Sequence, residues 1–209
     1  MQNTTQPKTL QLAPYETQEA AWPNQGRTLL AQYDDNSVVV YQAYSPAIAD
    51  FAVKNGYFGG SHFSLTRMSW IKPGFLWMMF RSGWATKPNQ ERVLAISIQR
   101  SAFDEILSKA VEAKYIPEDY PSEQAWKDAI AASDFRLQWD PDHSPSGEPL
   151  ARRAIQLGLR ANVLATFAKD WIITIEDITP FVHEQSLNAL SGNTASLITP
   201  LETPYPQPS

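Results

Sequence analysis

Hydrophobic and polar positions fall into short blocks along this chain, and most blocks close on a turn-forming residue. Residues 37–43 (SVVVYQA) are rich in β-branched and aromatic side chains and read as a strand. A helix follows at once, with Ser45 as N-cap, Pro46 at the first helical position and Gly56 where the helix stops. Ile48, Phe51 and Ala52 share one face of it, so it packs on a sheet. Residues 62–66 read as a short strand, and Lys72-Pro73-Gly74 breaks the chain. The apolar run 75–81 is a short buried helix and residues 93–98 (VLAISI) a buried strand. Helices are expected over 101–113 and 122–132, a strand over 135–139, a helix over 150–157 ending at Gly158, and a last strand over 171–178.

Strands and short helices alternate irregularly. The expected architecture is therefore an α+β domain with a mixed or antiparallel sheet, rather than a doubly wound parallel sheet. Residues 1–25, rich in Gln, Thr and Pro, read as a flexible arm, and residues 191–209 as a Pro-rich disordered tail. Residues 26–190 form a single domain, with no internal repeat and no linker.

Composition narrows the chemistry. No cysteine is present, which removes disulfides, thiolate nucleophiles and cysteine-ligated zinc. The first residues lack a basic region followed by an apolar run, and no stretch reaches the ~18 apolar residues of a membrane span. A cytoplasmic protein without a membrane partner is expected. The net charge of −5 argues against a dedicated duplex-DNA binder. The charge is unevenly spread, however. Residues 51–90 contain no acid, while Lys54, Arg67, Lys72, Arg81 and Lys87 are all basic. Either their partners are acids elsewhere in the chain, or this stretch binds an anion.

Residues 66–87 (TRMSWIKPGFLWMMFRSGWATK) hold three of the seven tryptophans, Trp70, Trp77 and Trp84, and four cations. The run 75–80 reads as core and is set aside as a source of ligand contacts. Its flanks are different: Arg67, Trp70 and Lys72 precede it, and Arg81, Trp84 and Lys87 follow it. Guanidinium forks match phosphate oxygens, and an indole offers a stacking face for a base or nicotinamide ring. A nucleotide pocket and a single-stranded nucleic-acid groove share that inventory. Asp140, Asp142 and His143 could hold a metal in a loop, but an acidic turn needs none, and no metal is expected. Arg153, Gln156 and Arg160 fall on one face of the expected helix, which an ordinary solvated surface also explains. There is no Walker loop, GxGxxG, GxSxG or HExxH motif.

The segments VYQAYSPAIADFAVKNGYF, TRMSWIKPGFLWMMFRSGWATK, QERVLAISIQR, LQWDPDH, RRAIQLGLR and IEDITPFV together resemble domain-of-unknown-function family 4291, over about residues 29–181. More distantly, a VYQAYS strand, a helix closing on NGYF and an FSLT segment resemble the opening of ADP-ribosyltransferase folds. That resemblance implies NAD as substrate. It puts Gln42 in the slot of the nicotinamide-ribose residue, where those enzymes carry His or Arg, and Ser64 and Thr66 in the Ser-Thr-Ser-like element. The acidic slot falls to Glu176 or to Gln138, although no Glu-x-Glu pair is present.

The leading expectation is an NAD-using ADP-ribosyltransferase-like enzyme, a transferase or glycohydrolase. Gln42 and Tyr44 border the nicotinamide end, Arg67, Lys72 and Arg81 take the phosphates, Trp70 or Trp84 supplies a ring face, and Glu176 does the chemistry. The alternatives are a nucleic-acid-binding module using the same Arg, Lys and Trp side chains, and a nucleotide-sensing domain without turnover.

Overall fold

Three strands form the spine of the molecule: β4 (Ser37–Tyr44), β6 (Arg92–Gln99) and β10 (Ile172–Asp177), antiparallel in the order β10-β6-β4. The computed structural model from which this is read describes residues 9–206. Both faces of the sheet are covered, so β4 is apolar at consecutive positions instead of alternating. Val38 and Val40 enter one core with Leu94, Ile96 and Ile98, whereas Val39 and Tyr41 enter another with Val93 and Ala95.

The first core is closed by helices α2 (Pro46–Asn55), α4 (Arg100–Lys109) and α6 (Ala161–Lys169) and by a second, mixed sheet. That sheet runs β2 (Gly26–Arg27), β9 (Pro149–Leu159), β8 (Phe135–His143), β7 (Val111–Glu112), with β5 (Ser69–Ile71) also paired to β9. Helix α5 (Glu123–Ala132) precedes β8, capped by the Ser122 hydroxyl accepting from the Ala125 N–H at 3.1 Å. Helices α3 (Phe75–Ser82) and α7 (Thr179–Ser191) cover the other face of the spine. The result is an α+β domain with mixed and antiparallel sheets and seven helices among the described residues. No helix among them is long and apolar enough to cross a membrane.

The expected helix over 150–157 is a strand. β9 pairs with β8 from Phe135↔Leu159 to His143↔Pro149, and Gly158 lies inside it rather than at a helix end. Residues 62–66 hold no strand; the short strand comes later, at β5. The expected helix over 101–113 spans Arg100–Lys109 as α4.

Both ends also differ from the reading as free arms. Residues 9–25 contain β1 (Leu12–Pro14) and α1 (Tyr15–Ala21), and residues 191–206 contain β11 (Ile198–Pro200) and β12 (Thr203–Pro204). β1 pairs with β11, and β12 pairs with β3 (Leu30–Ala31). Residues 1–8 and 207–209 of the expected arm and tail lie outside the described residues. Buried polar groups join the two ends. Gln18 donates to the Thr199 hydroxyl at 2.9 Å and accepts from the Glu202 N–H at 2.8 Å. The Trp22 indole donates to the Glu202 carbonyl at 2.8 Å.

The Glu202 carboxylate accepts the Phe75 N–H at the start of α3, at 2.7 Å, and is only 4% exposed. Burial pushes its carboxyl well above the usual carboxylate range, against the pull of the Phe75 bond. An acid with a raised folded pKa contributes stability below its unfolded pKa and loses it as pH rises through the folded value. Glu202→Gln keeps the Phe75 bond without the ionisation. The variant is therefore expected to unfold at higher denaturant than the wild type at pH 8, and at the same denaturant at pH 4. A deficit at pH 8 would mean that the carboxylate is held charged.

Candidate functional site

The two sheets meet at a seam where β4 passes β5. Tyr41 and Lys72 bridge it, the Tyr41 N–H donating to the Lys72 carbonyl at 2.7 Å and the Lys72 N–H to the Tyr41 carbonyl at 3.2 Å. Pro73 and Gly74 then turn the chain into α3. Two clefts open along this seam and share Trp70 and Lys72 as their common wall.

The first cleft, about 210 Å³, is lined by Gln42, Tyr44, Ser64, Arg67, Trp70 and Lys72, together with Ser69 and Gln90. Thr66 stands behind Ser64, with the hydroxyls 3.0 Å apart. Gln42 is 3% exposed and stitches the seam, its amide N–H donating to the Ser69 hydroxyl at 2.8 Å and to the Trp70 carbonyl at 3.2 Å. A carbonyl can only accept, so the nitrogen lies on that side and the Gln42 Oε1 is the remaining end. That oxygen is buried without a hydrogen-bond partner. The Tyr44 hydroxyl lies 3.0 Å from Ser69, and burial pushes it up to about 12, so it stays protonated.

The second cleft, about 290 Å³, adds Trp77, Arg81, Gln138, Asp140 and Gln156. Asp140 is held at both oxygens, by the amide N–H of Gln138 at 2.8 Å and of Gln156 at 2.9 Å. Period-two alternation explains the convergence: Gln138 and Asp140 share a face of β8, opposite Gln156 and Ala154 of β9. The Arg81 guanidinium lies over the Trp77 ring, 5.9 Å from its centroid, and the Trp77 Nε1 is buried without a partner.

Lys72 stands between the clefts, 7% exposed, its Nζ donating to the Trp70 carbonyl at 3.3 Å. Burial, reinforced by Arg81 and opposed by Asp140, lowers its pKa to about 7. Its charge is therefore readily lost near neutral pH, and an arriving anion would favour the charged form.

Six of the ten expected site residues meet in the first cleft, with Thr66 behind them and Arg81 in the adjoining one. Two do not. Trp84 is core, 5% exposed, with its indole donating to the Pro145 carbonyl at 3.3 Å. Glu176 is paired with Ala95, which pairs with Tyr41, so it sits on the spine face opposite Gln42, Leu94 and Asp177. There its carboxylate accepts the Thr9 N–H at 2.6 Å.

Asp140, Gln156 and Ser69 were not among the expected contacts, and Trp77 was set aside as core. Trp77 is indeed buried, 4% exposed, but one edge reaches the second cleft. The signal for Asp140 and Gln156 was strand alternation in LQWDPDH and RRAIQ, obscured by the helical reading of the latter. Asp142 is committed to Arg152 at 2.8 Å, and the His143 ring stacks on Phe80 with centroids 3.5 Å apart. Among the described residues no three His, Asp or Glu side chains converge on a metal-sized site.

Compared with known families, residues 28–205 match the model described as Domain of unknown function (DUF4291). No curated protein matches the chain.

Proposed function

The chain belongs to the DUF4291 family, and we propose that its double cleft binds NAD and that it acts as an ADP-ribosyltransferase-like enzyme, with Asp140 rather than Glu176 as the working carboxylate. The reading is carried by one observation: Gln42, Tyr44, Arg67, Trp70 and Lys72 line one cleft whose wall continues, through Trp70 and Lys72, to Arg81 and Asp140.

Each group has a task matched to its chemistry. Arg67, Lys72 and Arg81 neutralise the pyrophosphate, with each Arg fork donating to two oxygens at once. Trp70 gives a ring face for the nicotinamide or adenine. Gln42 lines the cleft and, through its amide N–H, fixes the Ser69 hydroxyl there. Cleavage of the nicotinamide–C1′ bond leaves positive charge on the ribose ring. A carboxylate fixed by two amide donors stabilises that charge without reorganising.

NAD binding is measured by tryptophan fluorescence and nicotinamide release by chromatography. Asp140→Asn is expected to keep binding within a few-fold and to lower release by about 10²–10³-fold. Glu176→Gln is expected to leave both unchanged. No binding of NAD at millimolar concentration sinks the reading. Binding without release favours a non-catalytic nucleotide-sensing domain.

A further inference from the structure

We propose that the depression on the far side of Asp140 is the track for a single-stranded nucleic acid that presents its nucleophile to the NAD cleft. The inference rests on the reading above and names its acceptor. The depression measures about 640 Å³ and shares Gln138 and Asp140 with the second cleft. β7 pairs with β8 only at Arg136 and Leu137. The rim between the two depressions is thus the single strand 138–140, with Gln138 and Asp140 facing one side and Trp139 the other.

The far side repeats the composition of the near side. Arg27, Lys114 and Arg153 supply cations, and Trp139 and Tyr115 supply ring faces. The Arg27 guanidinium lies 5.8 Å from the centroid of the Trp139 ring while donating to Glu112 at 2.8 Å. Arg153 donates to the Trp139 carbonyl at 2.9 Å. Both arginines are therefore held in place before any ligand arrives.

The far depression carries in succession three cations, Arg27, Lys114 and Arg153, against two carboxylates, Glu112 and Asp140, on a chain of net charge −5. A flexible polyanion with stackable bases fits the succession, because cations follow its phosphates and rings hold its bases. A rigid duplex does not follow a track that turns over a strand edge. In the transfer, an acceptor nitrogen or oxygen bonds to C1′ of the nicotinamide ribose as the C1′–nicotinamide bond breaks. Nicotinamide leaves as a neutral molecule with the bonding pair, and the acceptor's proton passes to Asp140 or water.

The test is fluorescence anisotropy of a labelled oligothymidylate with the full chain, across a salt series. Saturable binding that weakens with salt is expected. Lys114→Glu with Arg153→Glu should weaken it about tenfold or more, through lost phosphate contacts. Both residues are exposed, so the fold is retained and NAD affinity stays unchanged. Trp139→Ala should weaken binding as well, with a smaller change in salt slope. Oligonucleotide binding that ignores the double variant, or no binding by protein that still binds NAD, overturns the track alone. Oligonucleotide binding without NAD binding keeps the track and removes the enzymatic reading. Mass spectrometry of the oligonucleotide after incubation with NAD reads the gain of one ADP-ribose, and no gain removes its role as acceptor.

Discussion

Lys72→Met will make the protein more stable and strip the seam of its affinity for anions. The amine is 7% exposed, no carboxylate lies within ion-pair distance of it among the described residues, and its pKa falls to about 7. An unfolded lysine titrates at ~10.4, and each unit of difference is worth ~1.4 kcal/mol, so the buried amine costs on the order of a few kcal/mol at neutral pH. Methionine fills the space of the lysine stem with no charge to desolvate. The Trp70 carbonyl keeps a donor, because Gln42 also reaches it. For a chain of this size the gain corresponds to roughly 5–10 °C in Tm. The margin over wild type should be widest at pH 6 and narrow toward pH 9. Between about 7 and ~10 the unfolded chain binds more protons than the folded one, so wild-type stability rises with pH in that window. A variant less stable than wild type at pH 6 would show that the amine is paired.

The same proton governs binding. An anion beside Lys72 favours the charged amine, so NAD affinity should be highest below pH 7 and fall by up to about tenfold per unit above it. Lys72→Met should give a low, flat profile. Arg81 helps to depress the Lys72 pKa, so Arg81→Gln should move the midpoint upward even though it removes a phosphate contact. A midpoint that stays still would assign the titration to another group.

Where local chemistry dictates the backbone, the sequence was readable. Ser45-Pro46 and Gly56 bracket α2, and Gly56 does adopt the left-handed conformation, at φ 73°. Similar signals, Pro180 in the first turn and Gly192 in the left-handed conformation at the end, mark α7, which went unread beside the strand before it. β1 and β11 were not legible. Each is a three-residue strand with no signal of its own, and each exists only because the other pairs with it. Parity in the strand decides where the acidic candidate lies. Glu176 and Asp177 are adjacent, and a one-residue step in a strand selects the opposite face. Asp177 shares the face of Gln42 but is tied to Arg92 at 2.7 Å and to the Thr179 N–H at 2.9 Å. The carboxylate in the cleft came instead from LQWDPDH, where the sequence offered a metal loop.

Arg152 and Arg153 are neighbours on β9, but replacement by alanine should be costly at the first and nearly neutral at the second. A helical reading of LARRAIQLGLR gives Arg153 the face of Gln156 and Arg160 and makes Arg152 one more solvated cation. It fails because both faces of β9 are covered after Arg153, so residues 154–159 are all buried and strand alternation is masked. Gly158, which looks like a helix stop, is instead a close approach. A Cβ there would sit 2.6 Å from the Met68 Sδ beside β5. In the strand, Arg152 is 2% exposed, donates to Asp142 at 2.8 Å and to the Pro23 carbonyl at 2.9 Å, and lies 5.2 Å from the centroid of the Trp22 ring. Arg152→Ala leaves the Asp142 carboxylate, 6% exposed, without its cation. Breaking a buried pair in this way costs ~3–5 kcal/mol, whereas replacing both partners by apolar residues of similar volume is often neutral. Arg153→Ala removes an exposed side chain and should shift stability by less than ~0.5 kcal/mol. Urea denaturation separates the two, and Arg152→Met with Asp142→Leu should recover most of the loss. Because Arg152 also holds Pro23 and Trp22, its alanine variant should expose the N-terminal segment to protease before the rest of the domain unfolds. Equal losses at 152 and 153 would return this stretch to a solvated surface and remove the strand alternation that brings Gln156 to Asp140.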